Sequence, residues 1–467
     1  MLRYHSSFKS FKRKVYRPDW RALGLRVGLF MLLLATACSD ATPTVTPVVT
    51  PVVTPAATLA PAAPDVAQPA PGNTANTANT ANTASTPTVA PTPTPDLPVT
   101  GRLVFWHSWT GADGDALAAM LLALKARYPD LQVDTLFVAD NDLPQSYAEA
   151  VQAGAGPDLV LASNWWLGEM VAAGVVQPLD DLLPPAMLDA YWPATLDSLR
   201  WEDKLYGLPT NFELISLFYN RALIAENQLP ATTDALLALA QASPQQGIGL
   251  YATLYHLYWG FPAFGAQLFG GNGQIVLDSS PGAADFLTWL DRLNAAEGSF
   301  VDEDYGMLLD RFKKGEFAFL VDGPWSIAEL QGALGDNLAV TRLPAGPMGA
   351  AQPWLSAEGL FINPRVTAEQ QRLALAAAQG LTNAESGQLL AEQARRLPAN
   401  RTVQLSDPLL QGFLQQAATA QALPMIPEME ETWGYGGDLL LRVLAGDEDP
   451  SKVIKEIATL INEANGK

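Results

Sequence analysis

Tryptophan and tyrosine side chains recur directly after predicted strands or beside predicted helix starts. Ligands of open α/β sheets bind beside the carboxyl ends of parallel strands, so these positions could line one groove. A flat aromatic face suits the C–H face of a sugar ring, at about 1 kcal/mol per contact. Each residue alone also fits a packing role, but together they favour binding. The candidates are Trp106, Trp109, Trp165, Trp166, Tyr258, Trp259, Trp325 and Trp433.

Motifs that perform catalysis are missing from the sequence. It contains no G-x-S-x-G elbow, no phosphate-binding G-x-x-x-x-G-K-[ST], no H-E-x-x-H and no G-x-G-x-x-G after a strand. The only histidines are His5, His107 and His256, which makes a histidine-rich metal site implausible. The sequence therefore predicts a binding protein with no catalytic residue, metal or cofactor.

The charge of the chain excludes one class of partner. The 467 residues carry a formal charge of −20, although the first 26 residues contain eight basic side chains and only one acidic one. The remaining chain therefore carries −27, and phosphate backbones would repel it. We expect no nucleic-acid binding.

The amino terminus has the layout of a secretion signal. A basic stretch is followed by an apolar run over residues 27–37 and then by Cys38, which is the only cysteine. As a helix this run spans about 18 Å, too short for a bilayer core of about 30 Å. Leu34-Ala35-Thr36-Ala37-Cys38 resembles a bacterial lipobox, which predicts a signal peptide over 1–37 and lipidation of Cys38. The alternative is an ordinary signal peptide with an incidental cysteine.

A spacer follows the predicted lipidation site. Residues 38–100 consist mostly of Pro, Thr, Ala, Val and Asn, with a near-repeat of Asn-Thr-Ala. Such a composition cannot bury enough apolar surface to offset its ordering entropy. The segment is predicted to be a disordered tether holding the body outside the cytoplasm, anchored to the cell membrane.

Past residue 100 the pattern predicts alternating strands and helices, with Asp113 as a helix N-cap. Such alternation favours parallel sheets covered by helices, in two α/β lobes. The predicted strands are 103–106, 131–138, 158–161, 214–219, 317–321 and 359–362, and the longer predicted helices are 283–296, 369–381 and 450–464.

Several segments resemble a known family. Residues 312–326 read FKKGEFAFLVDGPWS, residues 156–160 read GPDLV, and residues 423–429 read LPMIPEM, followed by Trp433. These resemble the bacterial extracellular solute-binding proteins of the maltose-binding type, over roughly residues 102–462. The resemblance implies a periplasmic-binding-protein fold, with two α/β lobes joined by a hinge and a ligand cleft between them.

The resemblance also implies lobe boundaries, roles and partners. The first lobe is predicted over 101–210 and 355–400, and the second over 211–354 and 401–467. Glu213 matches an acceptor of sugar hydroxyls, Trp325 and Trp433 match aromatic platforms, and Tyr258 and Trp259 match further cleft contacts. The implied function is the monomeric substrate-binding component of an ABC importer, which passes a sugar or oligosaccharide to permease subunits.

The chain also departs from the family. Thr110-Gly111 and Trp165-Trp166 stand where maltose-binding proteins have charged pairs, which favours another oligosaccharide over maltose itself. Asp113, Asp115 and Glu358 are expected at N-caps or on the surface, with a position facing the cleft as the alternative. The alternatives are a polyamine or other small solute in the same fold, a surface adhesin or sensor, and a glycoside hydrolase using Glu213 and Glu358.

Overall fold

The computed structural model describes residues 98–467. The predicted signal peptide, Cys38 and the predicted tether up to residue 97 lie outside these residues. Within 98–467, no helix combines the length and the apolar character needed to cross a bilayer.

The strands of the described chain are short and mostly buried. In chain order they are β1 Gly101–His107, β2 Leu131–Phe137, β3 Leu159–Ser163, β4 Arg200–Trp201, β5 Lys204–Leu205, β6 Gly207–Leu214, β7 Ser216–Asn220, β8 Ile248–Tyr251, β9 Ser299–Asp302, β10 Phe319–Asp322, β11 Leu338–Thr341, β12 Trp354–Ile362, β13 Leu397–Pro398 and β14 Gln421–Ala422.

Helices connect and cover these strands. They are α1 Gly111–Arg127, α2 Leu143–Gln152, α3 Leu167–Ala172, α4 Pro185–Leu188, α5 Pro193–Asp197, α6 Thr233–Ala242, α7 Leu254–Leu257, α8 Gly260–Ala263, α9 Pro281–Asn294, α10 Tyr305–Lys313, α11 Ile327–Leu334, α12 Ala368–Leu381, α13 Ala384–Ala394, α14 Pro408–Ala417, α15 Met429–Leu444 and α16 Pro450–Ala464.

The first sheet has the order β13-β6-β12-β3-β1-β2, with β14 beside β12. β1 runs parallel to β2 and β3, whereas β12 runs antiparallel to β3 and β6. The predicted parallel arrangement therefore holds for the first three strands and for the pair of β12 and β14, but not for β12 beside β3 and β6. β12 re-enters this sheet after the chain has formed the second half of the molecule, which is the part built around the second sheet. As a result, the last residues of β1, β3 and β6 lie at the same edge as the first residues of β12.

The second sheet has the order β11-β7-β10-β8-β9. β8 is parallel to β9 and β10, while β7 is antiparallel to β10 and β11. The chain segments after β8 and β10 contain Tyr255 and Trp325, respectively. Both segments follow carboxyl ends of parallel strands, where the sequence predicted that binding residues would lie.

The carboxyl-terminal helix matches its prediction. Helix α16 covers residues 450–464, and Val453, Ile454, Ile457 and Ile461 are all buried. They belong to the core of the second half, together with residues of α9 and α15. Each such side chain contributes roughly 1.5–3 kcal/mol when it is removed from water.

The predicted N-cap at Asp113 is wrong. Helix α1 begins at Gly111, and Thr110 occupies the N-cap position without a side-chain cap. Asp113 therefore lies inside the first helical turn, where its carboxylate is free to contact Arg396. Glycine tolerates the positive φ of 56° at position 111, so the helix can start earlier than the apolar spacing indicated.

The chain passes between the two sheets at two places. Ile215 alone separates β6 from β7, and residues 342–353 link β11 to β12. The sheets do not follow the predicted lobe boundaries in detail, because β6 stays in the first sheet to Leu214 and β14 pairs with β12. As a division into two moving bodies, the predicted boundaries stay a prediction.

Candidate functional site

A groove lies between the two halves and consists of three adjoining cavities of about 310, 450 and 320 Å³. Glu213, near the end of β6, lines all three. The first cavity is lined by residues of the first half only. The second combines residues that follow β10 with Glu213 and with residues of α1 and of the turn after α13. The third combines residues that follow β8 and β10 and a residue of α15 with residues of β6, of β12 and of the turn after β3.

Four aromatic side chains meet in the third cavity. Trp165 comes from the turn after β3, Tyr255 from α7, Trp325 from the turn after β10 and Trp433 from α15. The rings of Trp165 and Trp433 contact each other with centroids 5.9 Å apart, and the ring centroid of Tyr255 lies 6.3 Å from that of Trp325. Trp165 is 44% exposed and Trp325 42%, so both offer ring faces to a ligand.

Trp109 has a different role from the exposed platforms. It is buried, lines the first cavity, and donates its indole N–H to Oε1 of Glu358 at 3.0 Å. Trp106 and Trp166 are partly buried and pack against the core of the first half, outside the lining of the groove cavities. Trp106 lies within β1 and Trp166 ends the short helical turn that follows β3, and both rings pack against the core instead of lining the groove.

Tyr258 and Trp259 do not line the groove. Trp259 is 0% exposed and packs against Phe286 and Trp289 in the second core, which leaves no surface for a ligand. Tyr258 stacks on Trp354 at 3.8 Å and lines a separate cavity of about 380 Å³. The prediction that these two residues contact a ligand in the cleft is therefore wrong. Tyr255 points into the groove, whereas Tyr258 and Trp259 pack in the core of the second half.

A network of charges forms the floor of the groove. Arg396, in the turn after α13, donates two hydrogen bonds to Asp113 at 2.9 and 2.7 Å and also pairs with Glu213. Glu358, on β12, accepts hydrogen bonds from Trp109 and from Nδ2 of Asn211, the latter at 2.7 Å. The expected surface or capping roles of Asp113 and Glu358 are thus replaced by roles in the groove, whereas Asp115 is exposed.

Glu213 is held in an unusual electrostatic environment. Burial raises the pKa of its carboxyl group above the ordinary value of 4.5, and the carboxylates of Glu358 and Asp113 raise it further. Arg396 acts in the opposite direction and offsets this only in part. Its side chain remains 34% exposed, so the carboxylate is still accessible to a ligand in the groove.

Sequence reasoning missed several groove residues, namely Arg396, Asn211, Tyr255, Ser163 and Ser356. Arg396 follows a helix and carries no motif, so no local signal marks it. Tyr255 lies three residues before Tyr258, a spacing that puts both on the same face of a continuous helix, so the pattern alone could not tell them apart. They diverge because α7 ends at Leu257, before Tyr258. The serines and Asn211 lie on strands whose edge position only the sheet pairing defines.

The arrangement can bind a small polar molecule with ring faces. Aromatic planes offer stacking surfaces, carboxylates accept hydroxyl protons, and the guanidinium and amide donate hydrogen bonds. Within residues 98–467, no three His, Cys, Asp or Glu side chains cluster closely enough to hold a metal ion.

Two α/β halves around a shared groove define a protein of the periplasmic-binding-protein fold. A crystal structure of a cyclo/maltodextrin-binding protein complexed with maltotetraose is similar, with a TM-score of 0.70 and 25% identity, over 78% of this chain and 97% of that chain. A family model described as bacterial extracellular solute-binding protein matches residues 119–418. The chain belongs to this family. The predicted fold class and family are confirmed.

Curated relatives are similar over most of their length. A maltotriose-binding protein of Pyrococcus abyssi is 26% identical over 72% of this chain and 76% of its own, and a galactooligosaccharide-binding protein of Bacillus subtilis is 25% identical over 66% and 76%. A Streptococcus pneumoniae relative, 23% identical over 67% and 77%, is named maltooligosaccharide ABC transporter solute-binding lipoprotein. All are binding proteins, which confirms that the chain is not an enzyme.

Proposed function

We propose that this protein is the substrate-binding component of an ABC importer and that it binds an oligosaccharide by closing its two halves. The observation that carries this proposal is the meeting of Trp165, Tyr255, Trp325 and Trp433 with Glu213 in one cavity. Stacked rings and hydroxyl acceptors are what a sugar requires, and two of these tryptophans come from opposite halves. The names of the relatives support the same ligand class.

Closure follows from contacts with both halves. A ligand that touches Trp165 on one side and Trp325 on the other stabilises the closed arrangement by its differential contacts. The crossing at Ile215 and the linking segment 342–353 would absorb the change. The ligand then passes to permease subunits without any covalent step.

The membrane anchor is the second part of the proposal. Cys38, after the lipobox-like segment, would receive the lipid, and the tether would place a monomeric body outside the cytoplasm. The extracellular family and the pneumococcal relative named as a lipoprotein support this location. Replacement of Cys38 by serine should release the protein from membranes, whereas an unchanged membrane fraction would contradict lipid anchoring.

The sugar proposal is tested by titration calorimetry with maltotriose, maltotetraose and a galactooligosaccharide. At least one should bind with a dissociation constant near the micromolar range, roughly −8 kcal/mol. Trp165→Ala should weaken that binding about tenfold. Leu122→Ala removes an exposed apolar side chain that does not line the groove and should leave the affinity unchanged. If none of the oligosaccharides gives binding heat with protein that circular dichroism shows to be folded, the proposal is contradicted.

A polyamine is the second candidate ligand. The first cavity is lined by four carboxylates, Asp113, Asp140, Glu213 and Glu358, and by a single guanidinium, that of Arg396. Such a surplus of negative charge attracts a cation, and the tryptophans could add cation–π contacts. Spermidine binding that weakens steeply with salt would favour this candidate, whereas salt-independent oligosaccharide binding would favour the first.

A further inference from the structure

The Asp-Gly-Pro-Trp segment at residues 322–325 forms a unit with the first residue of α10. The carboxylate of Asp322 is fully buried and accepts hydrogen bonds from the hydroxyl of Tyr305 and from the backbone N–H of Gly323, each at 2.8 Å. The hydroxyl of Tyr305 in turn accepts a hydrogen bond from Nε1 of Trp325 at 3.0 Å.

We propose that Tyr305 is a positioning residue, anchored by Asp322, that holds the indole of Trp325 in one orientation before a ligand arrives. Asp322 can only accept, so it fixes the direction in which the hydroxyl of Tyr305 donates. The lone pairs of that hydroxyl are then directed at the indole N–H of Trp325. The effect on ligand affinity rests on the function proposed above, but the orientation of the indole does not.

Gly323 also helps to orient the indole of Trp325. The six-membered ring of Trp325 lies so close over this residue that a Cβ atom would be only 2.1 Å from it. Only glycine therefore lets the indole lie back against the chain at the angle from which Nε1 reaches Tyr305. His256 packs edge-on against the indole at 6.1 Å, and its Nε2 atom lies 3.6 Å from Oδ1 of Asp322.

This arrangement matters because the indole is 42% exposed, so its packing against Tyr255, His256 and Gly323 covers only part of the ring. An unrestrained exposed tryptophan would lose rotamer freedom when a ligand stacks on it, and that loss would weaken binding. A hydrogen bond made beforehand reduces the loss. Tyr305 would thus raise the affinity without necessarily touching the ligand.

The first test needs no ligand. In ¹⁵N-labelled protein, the Nε1–H signal of Trp325 is assigned by its loss in Trp325→Phe. In Tyr305→Phe this indole proton should shift and exchange with solvent about tenfold faster than in the wild type. Gly323→Ala, which displaces the ring by another route, should have the same effect. Exchange that is unchanged in Tyr305→Phe would overturn the proposal.

The second test is a double-mutant cycle on the affinity for maltotetraose or another oligosaccharide that binds the wild type. Tyr305→Phe should weaken binding about fivefold, the factor that corresponds to one ordinary hydrogen bond. In the Trp325→Phe background, which lacks the indole N–H, the same change should have no further effect. Additive losses would mean that Tyr305 acts independently of Trp325, and would overturn the proposal.

Tyr147→Phe serves as the matched control. The hydroxyl of Tyr147 is buried in the first half and donates to the backbone oxygen of Val175 at 2.8 Å. Its removal should leave both the affinity and the exchange of the Trp325 indole unchanged. If the wild type binds no oligosaccharide, the proposed function fails, yet the exchange measurement still decides whether Tyr305 positions Trp325.

Discussion

Glu213 lines the groove and lies two residues before Ile215, where the chain crosses from the first sheet to the second. Its carboxyl group accepts hydrogen bonds from ligand hydroxyls most strongly when it is ionised, because protonation turns one of its oxygens into a donor. Because burial raises its pKa above 4.5, protonation should begin at a higher pH than for an ordinary glutamate. We expect oligosaccharide affinity to fall as the pH is lowered from neutral into mild acid. Calorimetry should show this fall in the wild type and a flatter pH profile in Glu213→Gln.

Glu213 should affect stability in the opposite direction from affinity: the affinity should rise with pH, whereas the stability should fall. Below the pKa of Glu213 in the unfolded chain, both states are protonated, and above its raised pKa in the folded protein, both are ionised. The two states therefore bind different numbers of protons only between these two pKa values. In that window the folded protein holds the proton that the unfolded chain releases. The free energy of unfolding should therefore decrease as the pH rises through the window. Urea titrations at several pH values should show a weaker decrease in Glu213→Gln; an equal decrease would assign the effect to other groups.

Two tryptophans of the second half provide a direct comparison of surface and core. Trp325→Ala should lower oligosaccharide affinity at least about tenfold with little change in stability, because the ring is exposed in the groove. Trp259→Ala should cost about 3–5 kcal/mol of stability, because its ring is fully enclosed. Calorimetry and urea unfolding separate the two effects. Unchanged affinity in Trp325→Ala would remove that residue from the site.

At the scale of elements, helix caps should affect binding only where the helix contributes to the groove. Asp304 caps α10 by accepting the N–H of Met307 at 2.9 Å, and Asp449 caps α16 by accepting that of Lys452 at 3.1 Å. Replacing either aspartate with alanine should cost about 1 kcal/mol of stability. Only Asp304→Ala should also weaken oligosaccharide binding, since α10 begins with Tyr305. Equal affinities in the two variants would mean that the start of α10 does not influence the platform.

Element types were predictable where the local pattern decides them. The strand 131–138 and the helices 369–381 and 450–464 lie within one residue of their predicted ends. The mixed direction of the first sheet was not predictable, because β12 is adjacent to β3 only after a long excursion through the second half. Sequence order alone does not record such a return.

At the scale of the whole molecule, ligand binding should appear as compaction and added stability. The contact of Trp165 with Trp433 joins the two halves. A ligand that touches both Trp165 and Trp325 would add further contacts between the halves. At one hundred times its dissociation constant, the ligand should raise the free energy of unfolding by about 2.7 kcal/mol. Small-angle scattering should show a smaller radius of gyration with ligand than without it. Stabilisation without compaction would indicate binding to one half only.

The sequence by itself determined the family and the fold class, because motifs and periodicity are local properties of the chain. It also named three of the four aromatic residues of the shared cavity, Trp165, Trp325 and Trp433. Only the tertiary structure decided that Trp259 is core and that Tyr255 and Arg396 line the groove. The physical reason is that the hydrophobicity of a tryptophan favours its removal from water, but does not determine whether it packs in the protein core or stacks against a ligand. That choice depends on residues far apart in the chain that folding brings to the same place.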